Sequence, residues 1–504
     1  MSQMNHKSIG DKEEIQNGEF FPGYDCQLYE DVKSHSQRKC DLVHRRVLSL
    51  VNDSDDECCG DRGKIVECHP CVDYNNSINY RCICHFQMIF LQGNDKNKWQ
   101  YGMRSHGEAQ SINNDSFSLA TPRIQRAMRF LLLYVNNDSN QSDEMVRGWT
   151  STSFACSWNE SDINVTLHFC YTDDEAGKSA GVQDNPKLQK QIQFFFSQPY
   201  CDWTSITCRS KGQIFITRRN FDKIENSNDD NDQVYLYDEI YLEIPDNKDK
   251  LPTVLLEKPL HTVDDYDKKI VSVVYRKPSS AFFHPNRFIM VHALEWILRK
   301  MFIDTSITSG ESEGYWMELY CGCGAHSMAL SKASSIYFSS SNSKPKVKGI
   351  LALELDPRLV QACQINARLN NAEFQQQTHN SAGLPIHVIQ GNASNFSRHW
   401  LRKQRNQKSN KQRSYTMEDE NWWYEQEYNV LLVDPPRQGL DESVCQMIQV
   451  IPFQHVLYIS CGQDALQRDL QILSSQYKIE HLDILDLFPR TKSSIETLVH
   501  LKRI

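Results

Sequence analysis

The stretch from Tyr428 to Asp469, YNVLLVDPPRQGLDESVCQMIQVIPFQHVLYISCGQDALQRD, indicates the fold of this chain. An apolar run ends at Asp434, a short helical segment follows, and a second apolar run, His455–Ser460, ends directly before Cys461. Apolar runs separated by helical segments are typical of parallel strands covered on both faces. Because the carboxyl ends of such strands meet at one edge, we expect Asp434 and Cys461 to face the same crevice. A lone cysteine is otherwise more often a buried small apolar residue.

Length and charge limit the classes of protein to which the chain can belong. It has 504 residues, 39% of them apolar, and 55 basic residues against 64 acidic ones. This length predicts two or three domains. The net charge of −9 excludes a globally basic nucleic-acid surface, so an RNA site needs a local patch. The 17 scattered cysteines and a polar start predict an intracellular, soluble protein, with the cytoplasm favoured over an organelle.

The N-terminal half has the pattern of an α+β domain, which we place at residues 40–280, after a disordered tail over residues 1–39. Helices are predicted at Cys40–Val51, Pro122–Val135 and Asn185–Gln198, the last with Asn185 as its cap. Alternating residues from Phe154 to Tyr171 predict a β-hairpin with its turn near Asn159 to Asp162.

A group of cysteines in this half raises the question of a metal site. Its members are Cys58, Cys59, Cys68, Cys71, Cys82 and Cys84. The spacing of Cys68 and Cys71 is that of half a zinc site. A second such pair is missing, and Cys82 and Cys84 would share one face of a strand. The spacing therefore favours free thiols and no metal.

The C-terminal part, which we place at residues 281–504, alternates strands and helices after a long helix, Arg287–Met301. Two insertions are predicted, a serine-rich one at Ser331–Lys346 and a basic one at Arg398–Arg413. The basic residues are Arg398, Arg402, Lys403, Arg405, Lys408, Lys411 and Arg413. This segment is either a solvated loop, neutralised by the acidic stretch Glu418–Glu427, or a surface that contacts phosphates.

A tight turn between a strand and a helix predicts a cofactor site. Strand Tyr315–Tyr320 is followed by Cys321-Gly322-Cys323-Gly324, and the next strand carries Glu354 near its end. Glycines let the backbone approach a ligand closely. A carboxylate at the end of the second strand is placed to accept hydrogen bonds from ribose hydroxyls. The pattern favours a cofactor that contains adenosine, and Ser327, in place of the third glycine of the dinucleotide fingerprint, disfavours NAD.

Five blocks then occur in order: AFFHPN, ELYCGCG, DPPRQGL, LYISCGQDALQRDL and LDLFPRTKSSIETLVHL. Together they resemble the S-adenosylmethionine-dependent RNA uracil-5-methyltransferases, most closely the tRNA branch that makes 5-methyluridine in the T-loop. The resemblance implies an α/β fold, with a Rossmann-like methyltransferase domain and a doubly wound sheet at the C-terminus, preceded by an α+β RNA-binding domain. It also implies S-adenosyl-L-methionine as the cofactor and tRNA as the partner. It further implies a monomer that binds neither DNA nor a membrane.

The resemblance implies roles for individual residues. Cys461 would be the nucleophile and Glu496 the general base, with Phe282 near the target base. The cofactor pocket would contain His284, Tyr320, Gly322, Gly324, Ala325, Glu354 and Asp434. In the block NYRCICHF, Arg81 becomes a candidate RNA contact. Core packing for Phe282 and a solvated side chain for Arg81 are the alternatives.

The chemistry of the family requires these residue types. A thiolate that adds to C6 of uracil makes C5 nucleophilic, and a carboxylate then removes the C5 proton. Because the thiol must be partly ionised, we expect an electropositive setting supplied by Arg437 or Arg468. The chain departs from the family where His284 replaces a glutamine, where Gly462-Gln463 replaces Asn-Pro, and where Ala325 replaces a polar residue. Two alternatives stay open besides a tRNA enzyme. One is the same chemistry on ribosomal RNA, and the other, which the altered residues motivate, is an RNA-binding chaperone without turnover.

Overall fold

The computed structural model describes residues 32–51, 66–69, 79–92, 98–105, 108–112, 117–137, 145–170, 181–218, 233–245, 250–259, 268–304, 314–339, 347–373, 383–407, 422–489, 491 and 494–504. The first described elements are helix α1 (Val32–Val51) and strand β1 (Val66–His69). Both lie on the C-terminal sheet, where β1 pairs in parallel with β17 (Tyr477–Leu485).

A seven-stranded sheet of order β4-β3-β2-β5-β6-β7-β8 forms the N-terminal half. Its strands are β2 (Ile83–Leu91), β3 (Lys98–Ser105), β4 (Glu108–Ser111), β5 (Trp149–Cys156), β6 (Ile163–Phe169), β7 (Ser205–Ser210) and β8 (Gln213–Arg218). Helices α2 (Pro122–Val135) and α3 (Pro186–Ser197) cover one face. Along β2, Cys84 and Phe86 are buried while His85 is exposed, as expected for a strand with one face on the core.

A three-stranded sheet joins the two halves. It consists of β9 (Tyr235–Pro245), β10 (Thr253–Leu255) and β11 (Lys268–Pro278) in the order β10-β9-β11. Lys277 and Asp238 form a fully buried ion pair here, with 2.5 Å between Nζ and Oδ2. The ammonium group also lies 3.5 Å from the ring centre of Trp158. Trp158 lies in the β5–β6 turn, so the contact of Lys277 with its ring connects the three-stranded sheet to the N-terminal half.

An eight-stranded sheet of order β1-β17-β18-β16-β15-β12-β13-β14 forms the C-terminal half. Its further elements are α4 (Arg287–Phe302), β12 (Gly314–Leu319), α5 (Ala325–Ser339), β13 (Val347–Glu354), α6 (Pro357–Leu369), β14 (Ile386–Gln390), α7 (Ala393–Gln407), β15 (Tyr428–Val433), α8 (Glu442–Val450), β16 (His455–Ser460), α9 (Gln463–Leu473) and β18 (Glu496–Arg503). Strands β14, β13, β12, β15 and β16 are parallel, and β18 is antiparallel between β16 and β17.

The buried strands account for the apolar runs in the sequence. Every residue of β12 and β16 is buried, because helices cover both faces of the sheet. The predicted α/β fold, a Rossmann-like doubly wound sheet at the C-terminus preceded by an α+β half, is therefore confirmed. The hairpin of β5 and β6 and the cap of Asn185, whose Oδ1 accepts a hydrogen bond from the Leu188 N–H at 3.0 Å, are confirmed as well.

Three helices differ from the prediction. Helix α1 begins at Val32, earlier than the predicted Cys40, because packing against the C-terminal sheet stabilises a sequence that is too polar to predict a helix by itself. The predicted serine-rich insertion is wrong for residues 331–339, which continue α5, with Ser331 and Ser334 buried. The basic segment is likewise helical through Gln407 as part of α7.

The cysteine group is only partly described. Cys82 and Cys84 are buried free thiols on one face of β2, whereas Cys58, Cys59 and Cys71 and the side chain of Cys68 lie outside the described residues. Within the described ranges, no group of three or more His, Cys, Asp or Glu side chains is arranged to hold a metal ion. In the same ranges, no helix is both long and apolar enough to cross a membrane.

Candidate active site

Four predicted site residues lie at one edge of the eight-stranded sheet. Tyr320 follows β12, Glu354 ends β13, Asp434 follows β15 and Cys461 follows β16. These strands are parallel, so their carboxyl ends share an edge, and the strand order reverses between β12 and β15. Sheets of this kind bind ligands in the crevice at that reversal. As the sequence predicts, Asp434 and Cys461 lie at the same edge.

Glu496 reaches this edge from the opposite direction. It is the first residue of β18, which runs antiparallel to β16 with Ser460 paired to Thr497. The residue that follows β16, Cys461, therefore lies beside the residue that begins β18. Glu496 is buried, with 4% of its surface exposed. The fold thus brings together a thiol and a carboxyl group that are 35 residues apart in the sequence (496 − 461).

Asp434, Glu496 and His284 form a cluster of ionisable groups. His284 Nε2 lies 3.8 Å from Glu496 Oε2. Burial, and next the negative charge of Glu496, raise the pKa of Asp434 to about 7, and the two neighbouring histidines only partly oppose this. At neutral pH Asp434 is therefore close to half protonated, and its carboxyl group can either donate or accept a hydrogen bond.

The setting of the Cys461 thiol is not electropositive, contrary to our expectation. Burial, followed by the charges of Glu496 and Asp434, raises the pKa of Cys461 to about 11. Of the two candidate arginines, Arg437 lowers this pKa, whereas Arg468 is held by Asp469 with 2.7 Å between Nη2 and Oδ1. The sequence predicts that Asp434 lies at the same edge as Cys461, but it does not show the approach of Glu496, which depends on the pairing of β18 with β16.

The thiol's reactivity tests the contribution of Arg437. Below pH 11 the thiolate fraction, and with it the rate of alkylation of Cys461 by iodoacetamide, should rise about tenfold per pH unit. Arg437→Gln should slow alkylation by about two- to threefold, a small effect because the side chain is exposed. Arg126→Gln, at a remote exposed arginine, serves as control. Equal alkylation rates in the two variants would show that Arg437 does not lower the pKa of the Cys461 thiol.

Sequence reasoning missed a buried hydrogen-bond network beneath the crevice. Glu318, near the end of β12, accepts hydrogen bonds from Ser327 Oγ and, at 3.0 Å, from His326 Nδ1. Burial lowers the pKa of His326. The hydrogen bond to Glu318 and the negative charge of Glu318 together outweigh burial, so the pKa of His326 is raised. Asp434 and Glu496 add to this effect. The only sequence signal was a glutamate inside an apolar strand.

The turn after β12 has the geometry of a ligand-binding loop. Tyr320 has a φ of 64° and Gly322 a φ of 56°, in the left-handed region. A Cβ at Gly322 would meet no atom within 4 Å, whereas one at Gly324 would lie 2.6 Å from Cys363 Sγ. Gly324 is therefore required for packing, and Gly322 borders open space.

The carboxylate of Glu354 fastens this turn. Its Oε2 accepts a hydrogen bond from the Gly322 N–H at 3.0 Å, and its Oε1 accepts two from the N–H groups of Leu355 and Asp356 at 2.8 Å. On the other side, the Ala325 carbonyl accepts a hydrogen bond from the Tyr275 hydroxyl at 2.9 Å. A partly exposed carboxylate beside an open glycine turn fits a ribose of a nucleoside cofactor.

The segment between the two halves presents two predicted residues differently. Phe282 is 72% exposed, so core packing, the alternative for this residue, is wrong. His284 is half-buried, and its carbonyl accepts a hydrogen bond from Trp158 Nε1 at 3.1 Å. Trp158, which sequence reasoning missed, thus connects the buried Lys277 to the backbone of His284.

Arg81 lies against the chain that leads to Glu496. Its Nε donates to the Ile83 carbonyl at 2.9 Å, and its guanidinium lies 4.8 Å from the ring centre of Phe488. The side chain is partly buried, so the alternative of a solvated arginine is wrong. A contact with RNA by Arg81 remains a prediction.

The strand order and the crevice at its reversal define the C-terminal half as a Rossmann-like α/β domain with a doubly wound sheet. Within this class, residues 261–504 match the model of the tRNA (uracil-5-)-methyltransferase family. The resemblance drawn from the sequence blocks is confirmed for this part of the chain.

Two curated relatives extend the comparison. The tRNA/tmRNA (uracil-C(5))-methyltransferase of Sodalis glossinidius is 31% identical over 220 residues, which are 44% of this chain and 48% of the relative. The protein of the same name from Photobacterium profundum is 29% identical over 220 residues, 44% of this chain and 49% of the relative. The chain thus spans about half the length of the curated relatives it matches.

A solved structure is similar over more of the chain. The tRNA (uracil-54, C5)-methyltransferase of Pyrococcus abyssi, crystallised with S-adenosyl-L-homocysteine, has a TM-score of 0.48 and 12% identity. The alignment covers 92% of this chain and 83% of that one.

Proposed function

We propose that this chain transfers a methyl group from S-adenosylmethionine to C5 of a uridine in tRNA, forming 5-methyluridine in the T-loop. The observation that carries the proposal is the placement of Cys461 and Glu496 beside each other, at the ends of β16 and β18 on the crevice. A thiol and a carboxyl group are the two groups that methylation of a pyrimidine at C5 needs. The match of residues 261–504 to the family supports the same activity.

In the first step the Cys461 thiolate adds to C6 of the uracil ring, and the electron pair of the C5–C6 double bond moves to C5. C5 then forms a bond to the methyl group. When bound, S-adenosylmethionine supplies that methyl group in electrophilic form and leaves as S-adenosylhomocysteine. Asp434, whose carboxyl group is close to half protonated, would hold the polar edge of the ring. The adduct keeps the nucleotide bound to the enzyme until C5 loses its proton.

In the second step the Glu496 carboxylate removes the proton from C5, the double bond re-forms and the thiolate leaves C6. His284 Nε2 lies 3.8 Å from Glu496 Oε2, so its ring would orient the carboxylate as the proton moves. Burial of Glu496 supports this role, because water is excluded from the carboxylate that must take up the proton.

The residues of the first turn suit the cofactor. Glu354 would bind the ribose hydroxyls, and the open backbone at Gly322 would lie against the ligand. Gly324 and Ala325 would shape the start of α5, and Tyr320 would border the same pocket at the end of β12.

Replacement of Glu354 tests the cofactor pocket directly. Glu354→Gln should weaken binding of S-adenosylhomocysteine about 10- to 100-fold, because hydrogen bonds to a charged group are stronger than those to a neutral amide. Isothermal titration with S-adenosylhomocysteine, in the absence of RNA, measures this. Glu373→Gln is the matched control, since Glu373 pairs with Arg368 outside the crevice. Similar affinities of the two variants would place the ribose elsewhere.

RNA would reach the crevice along Phe282 and the basic face of α7. A uridine in a folded loop must leave the stack to reach the thiol, and the exposed ring of Phe282 can stack on it. Arg398, Arg402 and Arg405 are all exposed and follow the spacing of one helix face. Such a face can contact successive phosphates. The seven-stranded sheet of the N-terminal half, with helices α2 and α3, would supply the remaining RNA contacts.

The salt dependence of binding tests this face. Replacing Arg398, Arg402 and Arg405 together by glutamine should reduce the slope of log affinity against log salt by about 2 to 3, since each phosphate contact contributes about 0.9. Filter binding of a tRNA transcript between low and moderate salt measures the slope. The triple lysine variant keeps the charges and should keep the slope. An unchanged slope in the glutamine variant would exclude α7 from the RNA surface.

The reaction itself is tested by incubating an unmodified tRNA transcript with the purified protein and S-adenosylmethionine. We expect 5-methyluridine in the nucleoside digest by mass spectrometry. Ribosomal RNA in parallel separates the two RNA substrates. Tight tRNA binding without any methylated product would instead support an RNA chaperone.

A further inference from the structure

The N-terminal helix α1 contacts the chain segment that leads to Glu496. Lys39 is buried, and its Nζ lies 2.5 Å from Asp486 Oδ1. The same ammonium donates to the Phe488 carbonyl at 3.2 Å, and Ser36 Oγ donates a second hydrogen bond to Asp486. These groups meet although about 450 residues separate them in the sequence. Nothing in the crevice chemistry requires this contact.

Asp486 is close to Glu496 through the sheet. It directly follows β17, whose last residue, Leu485, pairs with Glu496 in the β17–β18 ladder. A displacement of Asp486 therefore moves the strand end that fixes the backbone of Glu496. Lys39 contacts Asp486, the residue that directly follows this pairing, on the β17 side of β18. Cys461, which follows β16, lies on the other side of β18.

Two other segments contact the same stretch of chain, residues 486–488. Asn286 Nδ2 donates to the Leu487 carbonyl at 2.8 Å, and the ring of Phe488 stacks on Tyr80 with 6.2 Å between centres. Asn286 lies two residues after His284, which contacts Glu496. Residues 486–488 are thus held by helix α1, by the segment that precedes β2 and by the segment that carries His284.

We propose that Lys39, together with Ser36, is a positioning residue for Glu496. The inference rests on the proposed function, in which Glu496 removes the C5 proton. A buried ion pair contributes little net stability compared with apolar residues, but removal of one partner leaves an unpaired buried charge that moves toward water. Loss of Lys39 therefore shifts Asp486 and, through the Leu485 pairing, misplaces the carboxylate. A misplacement of about 1 Å costs up to about 100-fold in rate.

Two variants of the same helix provide the test. Lys39→Met removes the buried ammonium. Arg46→Met removes a long cation from the same helix, but its partner Asp464 is 3.3 Å away on an exposed surface. The full chain is assayed with tRNA transcript for kcat, for KM of RNA and of S-adenosylmethionine, and for RNA–protein adduct that resists denaturing gel electrophoresis.

We expect Lys39→Met to lower kcat about 10- to 100-fold with both KM values within about twofold, and to increase the fraction of adduct. A poorly placed base slows release from the adduct, whereas general loss of folded protein would lower adduct and turnover together. Lys39→Arg should restore most of the activity, and Arg46→Met should equal the wild type. Equal kcat in Lys39→Met and Arg46→Met, or parallel loss of adduct and turnover, overturns the proposal.

Two further measurements keep the test decisive. If Lys39→Met does not fold, the milder Ser36→Ala, which removes only the hydrogen bond from Ser36 to Asp486, is assayed in its place. It should lower kcat and raise the fraction of adduct in the same sense, and wild-type values for both overturn the proposal. If the wild type forms no 5-methyluridine, the proposed function fails, and amide hydrogen exchange of residues 484–498 judges the positioning role. Faster exchange in Lys39→Met than in Arg46→Met supports it, and equal exchange overturns it.

Discussion

Cys461→Ala should abolish formation of 5-methyluridine, with turnover lowered by at least about 10³-fold. The replacement removes the sulfur atom that bonds to C6 in the proposed reaction, so C5 never gains the electron density it needs to attack a methyl group. Binding of tRNA and of S-adenosylhomocysteine should stay within about twofold, because the loss of a single sulfur atom leaves the crevice in place. Steady-state turnover, together with separate binding titrations, measures both parts.

The control for this prediction is Cys170→Ala. Cys170 also follows a strand directly, β6, but it is exposed and lies in the N-terminal half. It should keep full activity. The Cys461→Ala protein should also form no RNA adduct on a denaturing gel. Turnover within about tenfold of the wild type would show that the reaction does not pass through Cys461, and the covalent mechanism would fall.

The apolar runs made the strands of the C-terminal half predictable. Parallel strands that are covered on both faces consist mainly of Val, Ile, Leu and aromatic residues. For this reason β15 and β16 are recognisable in the sequence. The edge shared by Asp434 and Cys461 follows from parallel pairing alone. The family motifs predicted which residues belong to the site, but not the distances and contacts between them.

What the sequence could not show depends on long-range pairing. Glu496 lies beside Cys461 because β18 inserts antiparallel between β16 and β17, and no local pattern encodes that order. Part of the raised pKa of the thiol has the same origin, since Glu496, whose charge affects it more than that of Asp434, reaches the thiol only through this strand order. Helix α1 was shortened in the prediction because Lys39 looks like a solvated residue until its partner Asp486, far along the chain, is known.

Glu496→Gln should lower turnover by about 10²- to 10⁴-fold while the RNA–protein adduct accumulates. Glutamine keeps the size of the side chain and one acceptor oxygen but cannot accept the C5 proton. The steps before proton removal need only Cys461 and the methyl donor, so they should proceed. The negative charge of Glu496 also raises the pKa of the thiol, so its removal should make Cys461 more readily ionised. Denaturing gels with labelled tRNA measure the adduct alongside the product.

Accumulation of adduct is what separates a base from a structural carboxylate. Glu480→Gln, at a glutamate of β17 that pairs with Lys478 and Lys502 away from the crevice, should keep wild-type turnover and form no excess adduct. In the double variant of Cys461→Ala and Glu496→Gln the adduct should vanish, since no thiol remains to form it. Wild-type turnover in Glu496→Gln would assign the proton to another base, for which Asp434, with its pKa of about 7, is the neighbouring group. Inactivity without adduct would instead mean that Glu496 acts before the methyl group is transferred, by holding the uracil ring or the thiol in place.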